Sequence, residues 1–143
     1  MLQEEVLVFE RTFNAEIEKV WAALTDEKLM RQWYFPTMQN FKAEVGFETQ
    51  FNVSHNGKDY MHIWKVTQVE HMQRIAYSWR YGGYPGVGIV CFEIDPDEQR
   101  TKVKLTFTIV ESFQDEKFPD FSVSNFHIGW THFINSLEKF LNE

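Results

Sequence analysis

Five histidines, one cysteine and twenty-one carboxylates carry most of the groups with which this chain could do chemistry, and their spacing restricts which kinds. His55, His62, His71, His127 and His132 are too dispersed to present the close pairs a zinc site needs, and Cys91 offers no second thiolate. No metal or cofactor is therefore expected. Nucleophilic catalysis finds neither a Gly-x-Ser-x-Gly elbow nor a cysteine with a legible histidine partner. Acid–base chemistry has many carboxylates to draw on, but Glu48, Glu93, Asp95, Asp97 and Glu98 fall on outward strand positions or in turns, where solvation is the default. Strand parity turns only Arg11, Thr49, Tyr60, His62, Tyr77 and Tyr81 inward. Of these, Arg11 is expected at a strand end, paired with a surface acid. His62, in register with Tyr60 and Trp64, stands out as a side chain able to bond a ligand oxygen or a neighbouring hydroxyl.

The elements that must position these groups are readable from periodicity. Leu7, Phe9 and Phe13 share one face of a first strand over Val6–Phe13. Ile17, Val20, Trp21 and Leu24 then repeat at helical spacing after Asn14, a candidate cap, and a second short helix runs from Asp26 to Trp33 before Pro36 ends it. From Phe41 to Ile109 the pattern is strands and turns, with Asn56-Gly57 as the clearest hairpin. Phe47, Thr49, Phe51 and Val53 form one inward row, Tyr60, His62, Trp64 and Val66 the next, then Ile75, Tyr77, Trp79 and Tyr81, then Val90, Phe92 and Ile94, and last Val103, Leu105, Phe107 and Ile109. Cys91 sits inside one of these apolar runs and reads as a packed thiol.

An antiparallel sheet with one apolar face needs a cover. The one long cover is a helix from about Ser122 to Asn142, whose Phe126, Trp130, Phe133, Leu137 and Phe140 or Leu141 make an apolar stripe. Gly129 beside that stripe costs about 1 kcal/mol relative to Ala in a helix interior, so it is expected to have a reason: close approach of the helix to a strand, ahead of room for a ligand. One helix closes a large curved sheet poorly, and buried Trp and Tyr tips need polar partners, so a cavity shared with water or a ligand is expected between helix and sheet. Its walls are read as Trp64, Tyr77, Trp79, Phe107, Phe126, Trp130 and Phe133, with His62 as the polar contact. Trp33, Phe51, Tyr60, Tyr81 and Phe92 complete the candidate set. The loops Gly82–Gly86 and Phe113–Phe121 are the candidate rims of its mouth.

Composition narrows the function classes. With 143 residues, 43% of them hydrophobic, the whole of 1–143 is expected to form one domain with a real core. A net charge of −7 leaves no cationic excess for phosphate backbones, so nucleic acid is not an expected partner. Residues 1–10 include Glu4 and Glu5 and no long apolar run, which reads as neither signal peptide nor membrane insertion. The lone cysteine fits a reducing, cytoplasmic setting.

Certain motifs also resemble a known group. Glu18-Lys19-Val20-Trp21 with Leu24-Thr25-Asp26, then Trp33, Gly46, Ile63-Trp64-Lys65-Val66-Thr67, Ile75-Ala76-Tyr77-Ser78-Trp79, Thr101, and Gly129-Trp130 with Leu137 are similar to the Aha homologue branch of the START-like (SRPBCC, Bet v-like) superfamily. That branch is named for activators of the ninety-kilodalton heat-shock chaperone ATPase. The chain departs from its pattern at Glu16, where a Pro usually opens the first helix, and at Phe47, where a second Gly is common and where a ring would narrow the cavity. The resemblance implies an α+β helix-grip fold, in which a curved antiparallel sheet of about seven strands wraps the C-terminal helix, with two short helices after the first strand. It also implies a choice of functions: binding of a small hydrophobic or aromatic ligand such as a lipid or polyketide-like molecule, a chaperone-associated interaction module, or a cyclase- or hydrolase-type enzyme using His62 or a tyrosine as general acid. Fold does not decide among them; the aromatic cavity favours the first, without catalysis.

Overall fold

The structure, a computed structural model, describes residues 5–142. Residues 1–4, which begin the stretch read above as neither leader nor span, lie outside the described residues. The chain runs β1 (Glu5–Phe13), α1 (Ile17–Thr25), α2 (Glu27–Trp33), β2 (Glu48–His55), β3 (Lys58–Glu70), β4 (Arg74–Tyr81), β5 (Val87–Asp97), β6 (Arg100–Glu111), a 3-10 turn (Pro119–Phe121) and α3 (Val123–Leu141). All strand pairs are antiparallel, in the spatial order β1-β6-β5-β4-β3-β2. The strands β2 to β6 form a meander, and β1 is laid against its far edge. This is the helix-grip architecture, with six strands where about seven were expected. Residues 34–47, between α2 and β2, form no strand: Pro36 follows α2, Gly46 takes φ +92°, and Met38 and Phe41 turn into the core while Val45 stays exposed.

Parity read from the sequence survives in the burial. Tyr60, His62, Trp64 and Val66 are buried along β3, as are Ile75, Tyr77, Trp79 and Tyr81 along β4. Asn56 and Gly57 both have positive φ, 51° and 77°, as a tight β2–β3 hairpin requires. Cys91 faces outward between the buried Val90 and Phe92 and is half-buried rather than packed in the core. The cap of α1 is Glu16, with no side-chain bond, rather than Asn14. Asn14 is drawn out of capping position because Ala15 is buried and its carbonyl accepts from the Thr101 hydroxyl at 2.8 Å, which ties the strand exit to β6. Asp26 caps α2 as expected, accepting from the Lys28 amide.

Ser122 caps α3 by accepting from the Asn125 amide at 3.1 Å. The helix lies across the inner face of the sheet: Trp130 packs 5.2 Å from Trp79 and 5.5 Å from Phe107, and Phe126 4.9 Å from Phe107. At its far end the Ser136 hydroxyl donates to the Trp33 carbonyl, and Arg11 bridges Glu138 and Asn135, as the strand-end reading of Arg11 expected. The buried stripe is Phe126, Trp130, Ile134, Leu137 and Leu141. Phe133 and Phe140 sit at its margin, half-buried, and Ile134 takes the central place expected of Phe133. Among the described residues, no helix is long and apolar enough to cross a membrane.

Candidate functional site

Cross-strand register assembles the site row by row. Val53 faces Tyr60; Phe51, His62 and Tyr81 form the next row; Thr49, Trp64, Trp79 and Gly88 the one after. Gly88 has a steric reason to lack a side chain, since a Cβ there would stand 2.5 Å from the Phe107 ring. These rows and the helix do not leave one continuous gap. Tyr34 and Phe35, carried under the sheet by the turn after α2, fill its inner half. Tyr34 stacks on Trp33 at 4.4 Å, lies 5.3 Å from Trp64 and shares a 2.8 Å hydrogen bond between its hydroxyl and that of Tyr77. Phe35 packs 5.0 Å from Phe51 and 5.7 Å from Trp64.

What remains open is a cavity of about 250 Å³ at the outer end, between β2–β4 and the first half of α3. Its floor and walls are Phe35, Tyr60, His62, Trp79, Tyr81, Phe121, Phe126, Trp130 and Phe133. Val53 and His55 border it from β2, which is an edge strand, and Asn125, Ile128 and Gly129 from α3. His55, Asn125 and Ile128 are exposed, Ile128 at 65%, so the mouth lies between that edge strand and the helix.

Seven of the residues expected at the site line this cavity: Tyr60, His62, Trp79, Tyr81, Phe126, Trp130 and Phe133. Six do not. Trp33, Phe51, Trp64, Tyr77 and Phe92 are packed behind the Tyr34–Phe35 plug, and Phe107 lies behind Trp79, Phe126 and Trp130. The rim is also corrected in part. None of Gly82–Gly86 reaches the cavity, because Tyr84 wedges against Tyr60, Phe118 and Phe121 and Gly86 closes on the Phe113 ring. From the other loop only Asp120 and Phe121 take part. Phe47 does not narrow the space; it packs on Phe41. Gly129 has no packing reason, since a Cβ there would meet no atom within 4 Å.

His62, 6% exposed, donates from Nδ1 to the Tyr60 carbonyl at 3.1 Å, since a carbonyl can only accept. Burial lowers its pKa to about 4, against a smaller opposite effect of that hydrogen bond, so the ring is neutral near pH 7 and Nε2 keeps a free lone pair. The Tyr60 hydroxyl donates to the Asp120 carboxylate at 2.5 Å, which with burial pushes the phenol up to about 12. Burial also raises Tyr34, Tyr77 and Tyr81; at Tyr81 the neighbouring Trp79 indole acts in the opposite sense, without closing a hydrogen bond of normal geometry. The expectation that buried tips find partners is met by Trp33, whose indole donates to the Ala23 carbonyl at 2.7 Å, and by Tyr34 and Tyr77, but the indole N–H groups of Trp64 and Trp79 have none. The residues that sequence reasoning missed are Phe35, Val53, His55, Asp120, Phe121, Asn125, Ile128 and Gly129. Val53 had the right parity and Asp120 and Phe121 lay in a loop already suspected; Phe35 gave only the signal of an aromatic beside a proline.

A curved meander gripping a C-terminal helix over an aromatic cavity defines a START-like helix-grip protein. Within that class the chain belongs to the family described as Activator of Hsp90 ATPase homolog 1-like protein, whose pattern it matches over residues 14–142. No curated protein matches it. Among solved structures, a protein of Chromobacterium violaceum superposes with a TM-score of 0.79 at 16% identity, covering 96% of this chain and 97% of that one. A protein of Mesorhizobium loti gives 0.75 at 24% identity, with the same two coverages of 96% and 97%. DynU16, a protein of the dynemicin biosynthetic locus, gives 0.76 at 19% identity over 96% of this chain, which spans 47% of DynU16. These likenesses show the fold.

Proposed function

We propose that the protein binds a small aromatic or compact apolar molecule in the cavity between β2–β4 and α3, without transforming it. The observation that carries this reading is the cavity itself: about 250 Å³, walled by rings from both layers and open beside an edge strand. An apolar cavity of about 150 Å³ holds a benzene, so this one suits a body of roughly ten heavy atoms, smaller than an extended lipid. Burial of such a body against aromatic walls contributes roughly 25 cal/mol per Å² of apolar surface removed from water. The acidic net charge of −7 disfavours anions. That DynU16, which shares the fold, belongs to a biosynthetic locus is in keeping with a small-molecule ligand.

The test is a titration of the 15N-labelled protein with indole, followed by amide shifts. Saturable shifts clustered on residues 53–62, 79–81 and 120–133 are expected. No saturable shift, together with retention of a chaperone in a pull-down, would favour the interaction reading instead.

A further inference from the structure

The polar atoms around the cavity are unevenly committed. Tyr60 spends its only donor on Asp120. Asn125 spends both amide hydrogens, on the carbonyls of Pro119 and Asp120, each at 3.2 Å, leaving its side-chain oxygen as an acceptor. The Trp79 indole N–H is unspent but wholly covered by protein atoms, out of a ligand's reach. His62, 94% buried by its 6% exposure, uses Nδ1–H on the Tyr60 carbonyl and presents Nε2 with no protein partner among the described residues. The Asp120 carboxylate adds further acceptor capacity at the same end. The Tyr81 phenol works in either sense, as does the imidazole of His55 at the rim, whose Nε2 lies 3.2 Å from the Asn56 side-chain amide, so neither discriminates. A ligand that offers only acceptors would leave the His62 lone pair desolvated and unpaired, a cost that a ligand hydroxyl removes.

Resting on the binding reading above, we infer that the cavity selects hydrogen-bond donors: phenols or alcohols with a compact aromatic or apolar body, whose O–H donates to Nε2 of His62 while the rings of Trp79, Trp130 and Phe133 hold the body. Ethers, ketones and carboxylates of the same size are discriminated against.

The experiment compares p-cresol, p-xylene and p-toluate, which share a body and differ in one substituent, by calorimetry on the wild type, His62→Gln and His62→Phe. The wild type should bind p-cresol roughly five- to tenfold more tightly than p-xylene and p-toluate weakest. His62→Gln, which keeps an acceptor oxygen, should retain most of that preference, and His62→Phe should lose it while still binding p-xylene. In the wild type the 15N signal of Nε2 should move upfield on adding p-cresol and stay put with p-xylene, a readout independent of whether either variant folds. If p-xylene binds the wild type as tightly as p-cresol, or p-toluate binds best, the donor selection is overturned and the cavity reading stands. If none of the three binds, both fall.

Discussion

His62 illustrates how a single residue is set by its row. Phe51 and Tyr81 flank it in register, with ring centroids 5.4 and 4.8 Å away, and the Tyr60 carbonyl fixes its tautomer. Burial in that aromatic row lowers its pKa from 6.5 to about 4. In the unfolded chain the imidazole takes up a proton as pH falls through 6.5, whereas in the fold it resists until about 4, so the unfolded state binds more protons in that window. The stability that His62 contributes through this difference is therefore complete above the unfolded value and lost as pH falls toward the folded one. Its size is on the order of 3 kcal/mol. His62→Gln does not titrate, so urea denaturation at pH 7 and at pH 4.5 should show a smaller acid loss in the variant by a few kcal/mol; an equal loss in both proteins would show that His62 is not held neutral. His62 was legible from alternation alone. Tyr34 and Phe35 were not, because side chains of an irregular segment follow no period, and only the folded chain shows that they displace Trp64, Tyr77 and Phe92 from the cavity wall.

At the scale of elements, α3 carries both the cover and the opening. Its limits and most of its buried stripe followed from three- and four-residue spacing, and the inward rows of β3 to β6 from strict alternation. The count of about seven strands fell to six, and residues 34–47 form no strand because Met38 and Phe41 pack into the core, a tertiary outcome that local pattern does not show. Gly129 is where local preference and the observed helix disagree. A helix-interior glycine is worse than alanine by about 1 kcal/mol, yet a methyl group there would touch nothing within 4 Å. The cost is borne at a position that borders the mouth. Gly129→Ala should accordingly stabilise the protein by about 0.5–1 kcal/mol and leave indole binding nearly intact. Gly129→Phe should keep the fold but place a ring at the mouth and weaken indole binding by roughly tenfold or more. Thermal denaturation and the amide titration measure the two effects; a destabilised Gly129→Ala, or unaltered binding in Gly129→Phe, would remove Gly129 from the account.

Across the whole molecule, the sheet and α3 meet tightly at one end and loosely at the other. The tight end is anchored by Ser136 on Trp33, Lys19 on the Leu141 carbonyl and Arg11 on Glu138. The loose end holds the cavity, braced by Tyr60 on Asp120 and stoppered by Phe121 stacked on Tyr81 at 4.4 Å. The family and its fold were legible because they rest on element order and a spread of motifs across the chain. The cavity's size and mouth were not, because they depend on how far the segment after α2 reaches under the sheet and on which edge strand the helix leaves uncovered. On the proposed reading, this loose end accepts a small apolar body. Crystals of the protein exposed to bromobenzene vapour put that to the test through the anomalous signal of bromine. One dominant bromine peak is expected inside the space bounded by Trp79, Trp130, Phe133 and His62; a cavity without bromine, or peaks confined to the outer face of the sheet, would rule the binding out.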